Sequence, residues 1–177
     1  MSLRGHRQTL LVSLALAFAA GCAHVESGRE VLRSVDIEGN EALSASEIED
    51  RLALTETPIW PWADPQYFEP GILSGDRRRL LRFYQANGFY EARVKSRLRR
   101  EDGDVHVTFV VDEGPATHVE RVEIVGLEDL PEADRLALFA EPLPLREGDR
   151  ITEAAWDASR AALLQRLRDR GYGDAEV

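Results

Sequence analysis

The chain has 177 residues, 44% of them hydrophobic, enough for one medium core or two small ones. Its formal charge is −10, and −12 once the leader described below is removed, which argues against nucleic acid as a partner. A single cysteine excludes an internal disulfide framework.

Arg4 and Arg7 precede an apolar run over residues 10–20, and no acid occurs before Glu26. This pattern predicts a secretory signal peptide over residues 1–21, because a spanning helix needs about 20 apolar residues and this run is shorter. It ends in Ala19-Ala20-Gly21-Cys22, which resembles the bacterial lipobox, so Cys22 is expected to carry a lipid and to become the first residue of the mature chain. A lipid would also account for a lone cysteine in an oxidising compartment. An ordinary secretory signal is the alternative, since Ala19 stands where the lipobox favours leucine. Residues 22–30 read as a linker.

The first element after the linker is a strand: Val35 and Ile37 alternate with Asp36 and Glu38, and Gly39-Asn40 ends it. Ser44 and Ser46 each precede a glutamate by three residues, so either is suited to a capping box opening a short helix through Ile48 and Leu52. The stretch TPIWPWADPQYFEP (residues 57–70) has too many prolines for a helix. Its Trp60, Trp62, Tyr67 and Phe68 are expected to fold back and enlarge the core, with a partner-facing patch as the other reading. Leu73, Leu80, Leu81 and Tyr84 then form the apolar stripe of a second helix, closed at Gly88.

Beyond Gly88 the period becomes alternating. Ala92, Val94, Ser96 and Leu98 share one face, and Arg93, Lys95, Arg97 and Arg99 the other. Asp102-Gly103 predicts a two-residue hairpin turn into Val105, Val107, Phe109 and Val111. The unit is strand, helix, helix, strand, strand over residues 31–115. It then begins again: RSVDIEG (33–39) matches ERVEIVG (120–126) at an offset of 87, and the second helix stripe recurs as Trp156, Leu163, Leu164 and Leu167 at an offset of 83. Gly88, Ala92 and Val94 recur as Gly171, Ala175 and Val177. Residues 116–177 therefore read as a second unit truncated before its last strand. A fragment of a longer protein is the favoured explanation, and strands supplied by another chain the other.

The order of these elements, with IEGN closing the first strand, RFYQANGFYEARV bridging second helix and second strand, and VTFVVDEGP ending the unit, resembles the POTRA (polypeptide-transport-associated) repeat of BamA- and TamA-type outer-membrane assembly factors. The resemblance implies an α+β fold of tandem units, the second incomplete, and binding rather than catalysis. It implies unfolded outer-membrane proteins or assembly-complex subunits as partners. It also implies the periplasmic face of the cell outer membrane as location, reached through the lipid anchor or a barrel partner, with no cofactor. A structural spacer for a barrel partner is the alternative, and a periplasmic enzyme with an unrecognised site a more distant one.

No nucleophile with a base, metal-like histidine spacing or phosphate loop is evident, and His106 reads as a solvated strand histidine. The basic cluster over residues 76–100 is the more informative feature: nine basic residues stand against Asp76 and Glu91. The third strand is the more apolar, Val110 included, and suits a sheet centre, which leaves the second strand at an edge. Arg93, Val94, Lys95, Ser96, Arg97, Leu98 and Arg99 are the expected polypeptide-binding residues, offering backbone groups to an extended chain. One of Lys95 and Arg97 is expected to point its N–H outward. Protection of the edge against aggregation is the competing role for the charges.

Overall fold

The computed structural model describes residues 28–60 and 62–177; the leader, Cys22 and His24 lie outside them. Strand β1 (Val31–Glu38) is followed by helices α1 (Ala45–Glu49) and α2 (Pro70–Ala86), strands β2 (Arg93–Glu101) and β3 (Asp104–Asp112), and helices α3 (Glu132–Leu138) and α4 (Glu153–Asp169). The class is α+β, and α3 and α4 repeat the helix pair of the first unit.

The sheet has the order β1-β3-β2, with β3 parallel to β1 and antiparallel to β2. Alternation sorts the central strand: Val105, Val107, Phe109 and Val111 are buried with α2, while His106, Thr108 and Val110 are half-buried on the open face. Ser34 and His106 are hydrogen-bonded there at 2.9 Å. Asp102 and Gly103 both have positive φ, 51° and 89°, the type I′ turn that matches strand twist.

Local chemistry fixes the helices. The Ser44 hydroxyl accepts the Glu47 N–H and the Glu47 carboxylate accepts the Ser44 N–H, a complete capping box. α1 stops at Glu49, so Leu52, expected inside it, follows the helix instead; Asp50 already caps the turn. α2 starts on Pro70, where a missing N–H costs nothing. It ends in a left-handed Gly88 with Gly88 N–H on Gln85 O and Phe89 N–H on Tyr84 O. Tyr84, fully buried, rests edge-on against Phe89 at 6.0 Å between ring centroids, and burial, then the Glu113 carboxylate, raises its phenol well above its ordinary value.

The second unit departs from the sequence reading. Residues 120–126, expected as a strand, join no backbone ladder among the described residues, the Val122 N–H going instead to the Glu147 carboxylate at 3.2 Å, and 174–177 form no strand either. The reason is physical: in the first unit both outer strands hang on β3, and among the described residues no strand takes that place in the second. Among the described residues its buried apolar cluster is Leu138, Leu163 and Leu167, with Leu145 buried apart from it, against a cluster of fourteen in the first unit. Trp156, which aligns with the buried Leu73, is 53% exposed. Tyr172 donates to Asp134 at 2.7 Å, and that bond, followed by Arg170, holds the Asp134 carboxyl below its ordinary value. In hydrogen exchange of this chain, the Val107 and Phe109 amides should be protected roughly tenfold or more beyond those of Leu163 and Leu164. Equal protection would show that the two units open together.

A short ladder joins the units. Thr117 N–H donates to Gly88 O at 2.8 Å, Ile151 N–H to Thr117 O at 3.0 Å, and Val119 exchanges bonds with Asp149 and Gly148. The Arg150 guanidinium lies over the Phe89 ring at 5.1 Å, and Arg82 faces Glu153 at 3.7 Å.

Candidate polypeptide-docking edge

The two sides of the sheet differ in what covers them. Along the outer side of β1, Leu32 N–H donates to Gln66 O, Thr57 N–H to Leu32 O and Phe68 N–H to Glu30 O, while the Glu56 carboxylate takes the Val35 N–H at 2.6 Å. That edge is occupied over its first half. Among the described residues the backbone of β2 is hydrogen-bonded to β3 alone. Arg93, Val94, Lys95, Ser96, Arg97, Leu98 and Arg99 thus lie together on one exposed strand edge.

The hairpin settles which backbone groups point outward. A two-residue I′ turn makes its flanking residues, Glu101 and Asp104, a hydrogen-bonded pair, and bonded pairs recur at every second position. Lys95 opposite Val110 and Arg97 opposite Thr108 are therefore bonded pairs that donate inward. The expectation that one of them donates outward is corrected: being two residues apart, they share a direction. Val94, Ser96 and Leu98 carry the outward N–H groups. Their side chains are half-buried toward the helix, so this edge has a backbone front.

The cations are not equivalent. Arg97 reaches Glu38 at 3.3 Å across the open face, Arg99 pairs with Glu101, and Arg100 meets Glu30 at 2.6 Å and lies over Phe68. Arg79 is engaged by Asp76, while Arg93 and Lys95 have no ion-pair partner among the described residues. The positive charge available beside the edge therefore sits at its Arg93 end.

Asp76 escaped the sequence reading. Its carboxylate is fully buried and accepts the Ala53 and Leu54 N–H groups at 2.9–3.1 Å, tying the segment after α1 to α2. The signal was available: at the offset of 83 it aligns with Ser159, also buried, whose hydroxyl accepts the Leu145 N–H at 2.8 Å.

The aromatic stretch is also corrected. Phe68 is buried and Tyr67 half-buried, but Trp60 and Trp62 are 60% and 72% exposed and stacked at 5.7 Å, with Ile59 90% exposed beside them. Thr57 and Gln66 close the neck of this loop, so its tip has no core to return to.

In the second unit an apolar groove of about 1060 Å³ runs between residues 119–125 and α4, lined by Val122, Ile124, Leu145, Trp156 and Leu163. By the internal repeat it corresponds to the place that β3 takes in the first unit. Among the described residues no three His, Cys, Asp or Glu side chains converge as metal ligands, and no helix is long and apolar enough to cross a membrane.

The POTRA family, described as a surface antigen variable number repeat, matches residues 31–114. The chain is 28% identical over 159 residues to the outer membrane protein assembly factor BamA of Nitratidesulfovibrio vulgaris, a match covering 87% of this chain and 20% of that protein. To BamA of Neorickettsia risticii it is 26% identical over 149 residues, covering 83% and 20%. The chain thus spans about a fifth of the length of these curated relatives. Among solved structures, Haemophilus influenzae BamA POTRA3-5 is similar at 24% identity and a TM-score of 0.47, over 86% of this chain and 61% of that one.

Proposed function

Because the chain belongs to the POTRA family of BamA-type assembly factors, with residues 31–114 as the matched domain, we propose that it is a polypeptide-docking module of outer-membrane protein assembly. It acts at the periplasmic face of the outer membrane, receiving extended segments of unfolded barrel proteins or assembly partners by strand addition along β2. The asymmetry of the sheet carries this reading: β1 is covered at its start by residues 57 and 66–68, whereas β2 offers the Val94, Ser96 and Leu98 donors to a guest strand. Backbone pairing of this kind binds extended chains largely without regard to sequence, as a module handling many clients requires. Arg93 and Lys95 raise the encounter rate with acidic segments and contribute less to residence.

The test is Ser96→Pro. Proline there removes one outward donor and leaves the β2–β3 bonds intact, whereas proline at Lys95 or Arg97 would break the sheet itself. With circular dichroism confirming the fold, affinity for a peptide of about ten residues with barrel-strand alternation should fall about tenfold. Unchanged affinity in folded Ser96→Pro would reject strand addition on β2. Arg93→Gln with Lys95→Gln should instead flatten the salt dependence of association while leaving the dissociation rate nearly unchanged. A large rise in dissociation rate would assign the cations a direct share in holding the guest.

A further inference from the structure

We infer that the loop tip formed by Ile59, Trp60 and Trp62 is a second membrane contact, seating on a zwitterionic bilayer surface beside the lipid on Cys22. This rests on the lipid-anchor reading of Cys22 and on the outer-membrane location in the proposed function. Residues 57–63 carry no charge, and the first acid beyond them is Asp64. The two indoles are stacked 18° from parallel and the turn is closed by Ala63 N–H on Trp60 O at 3.0 Å, so the apolar tip is held in shape before it meets anything. Tryptophan favours the bilayer interface because its broad apolar ring is buried while the indole N–H stays hydrated. With no lysine or arginine in the tip, nothing there selects anionic lipid.

The path of the chain gives the occupant. The neck of the loop is bonded to residues just past the linker: Phe68 N–H to Glu30 O at 2.9 Å, Leu32 N–H to Gln66 O at 2.7 Å and Thr57 N–H to Leu32 O at 2.9 Å. Arg29 lies over Tyr67 at 3.9 Å and pairs with Glu69, which fixes the start of the described chain against the same neck. Cys22 is six residues before Gly28, a reach of at most about 20 Å. Trp62 is four residues from Gln66, so the tip rises no more than about 15 Å above the neck. A lipid at Cys22 and the tryptophan tip can therefore enter one surface together. The lipid by itself tethers the chain at one point, and a second apolar contact at the loop tip fixes how the domain is turned on the surface. Two contacts would also set how the β2 edge is presented relative to the membrane.

The test uses the mature chain, residues 22–177, made with export and without it, so that Cys22 is lipidated or free, in a Trp156→Phe background that leaves Trp60 and Trp62 as reporters. On phosphatidylcholine vesicles the indole emission should shift to the blue and be quenched by brominated acyl chains. Trp60→Ser with Trp62→Ser should lower vesicle partitioning of the non-lipidated chain roughly tenfold or more. Equal quenching by aqueous iodide on and off vesicles would overturn the inference. So would protection from iodide that arises only with an unfolded polypeptide and no vesicles, since the surface would then take protein. If exported chain shows no acyl mass on Cys22, the anchor reading falls, and bromine quenching of the non-lipidated chain decides the loop by itself.

Discussion

Asp76→Ala should cost the first unit about 2–5 kcal/mol, read from urea unfolding. Its carboxylate is the partner of the Ala53 and Leu54 N–H groups, so truncation strands the buried Leu54 donor where water does not readily reach it and leaves the half-buried Ala53 bonds unmade. Each stranded donor costs about 1–3 kcal/mol, against a total stability of about 5–15 kcal/mol for a domain of this kind. The ion pair with Arg79 adds little, because the guanidinium is half exposed and screened. Asp76→Asn keeps an acceptor oxygen and should recover part of the loss. Ser159→Ala, which strands only the Leu145 donor, should cost less than Asp76→Ala. A loss under about 0.5 kcal/mol in Asp76→Ala would mean that the 53–54 segment finds other partners and is not pinned by α2.

The first unit was legible because its local signals agree with one another. Ser44 and Glu47 form the capping box, Asp102 and Gly103 form the turn, and the apolar alternation of residues 105–111 names the central strand. The edge position of β2 followed from comparing the apolarity of two strands. The direction of its donors did not follow, because alternation sorts side chains between faces, whereas donor direction depends on the pairing set by the turn. The second unit was legible as a repeat and illegible as a structure. Gly126 and Gly171 keep the positive φ of Gly39 and Gly88, so local conformation survives, yet residues 120–126 are not a strand because strand formation needs a neighbour that the local sequence cannot supply. Trp60 and Trp62 were misjudged for a related reason. Composition gives the apolar content of a loop, while the hydrogen-bonded neck at Thr57 and Gln66 decides that the tip projects.

Gly88→Ala should loosen the joint between the units, and Gly171→Ala supplies its internal control. Both glycines follow the last turn of equivalent helices with φ near +90°, 86° and 92°, so an alanine at either carries the same left-handed penalty of about 1–2 kcal/mol. Their surroundings differ. A Cβ at Gly171 meets open space, whereas at Gly88 it would stand 2.3 Å from the Ile151 carbonyl oxygen and 3.0 Å from Arg150 Cγ. Both residues stand in the ladder that carries the second unit, and the Ile151 backbone oxygen cannot rotate away as the Arg150 side chain can. The 148–151 segment must therefore withdraw, which strains the Thr117–Gly88 and Ile151–Thr117 hydrogen bonds and lifts Arg150 from Phe89. Gly88→Ala should consequently speed exchange of the Thr117 and Ile151 amides by about tenfold or more and broaden the distance distribution between spin labels placed on α2 and α4. Gly171→Ala should leave the distance distribution unchanged while lowering only the stability of the second unit. If the two variants behave alike, the close approach at Gly88 does not fix the relative orientation of the units, and the β2 edge and the second unit present themselves to a client independently.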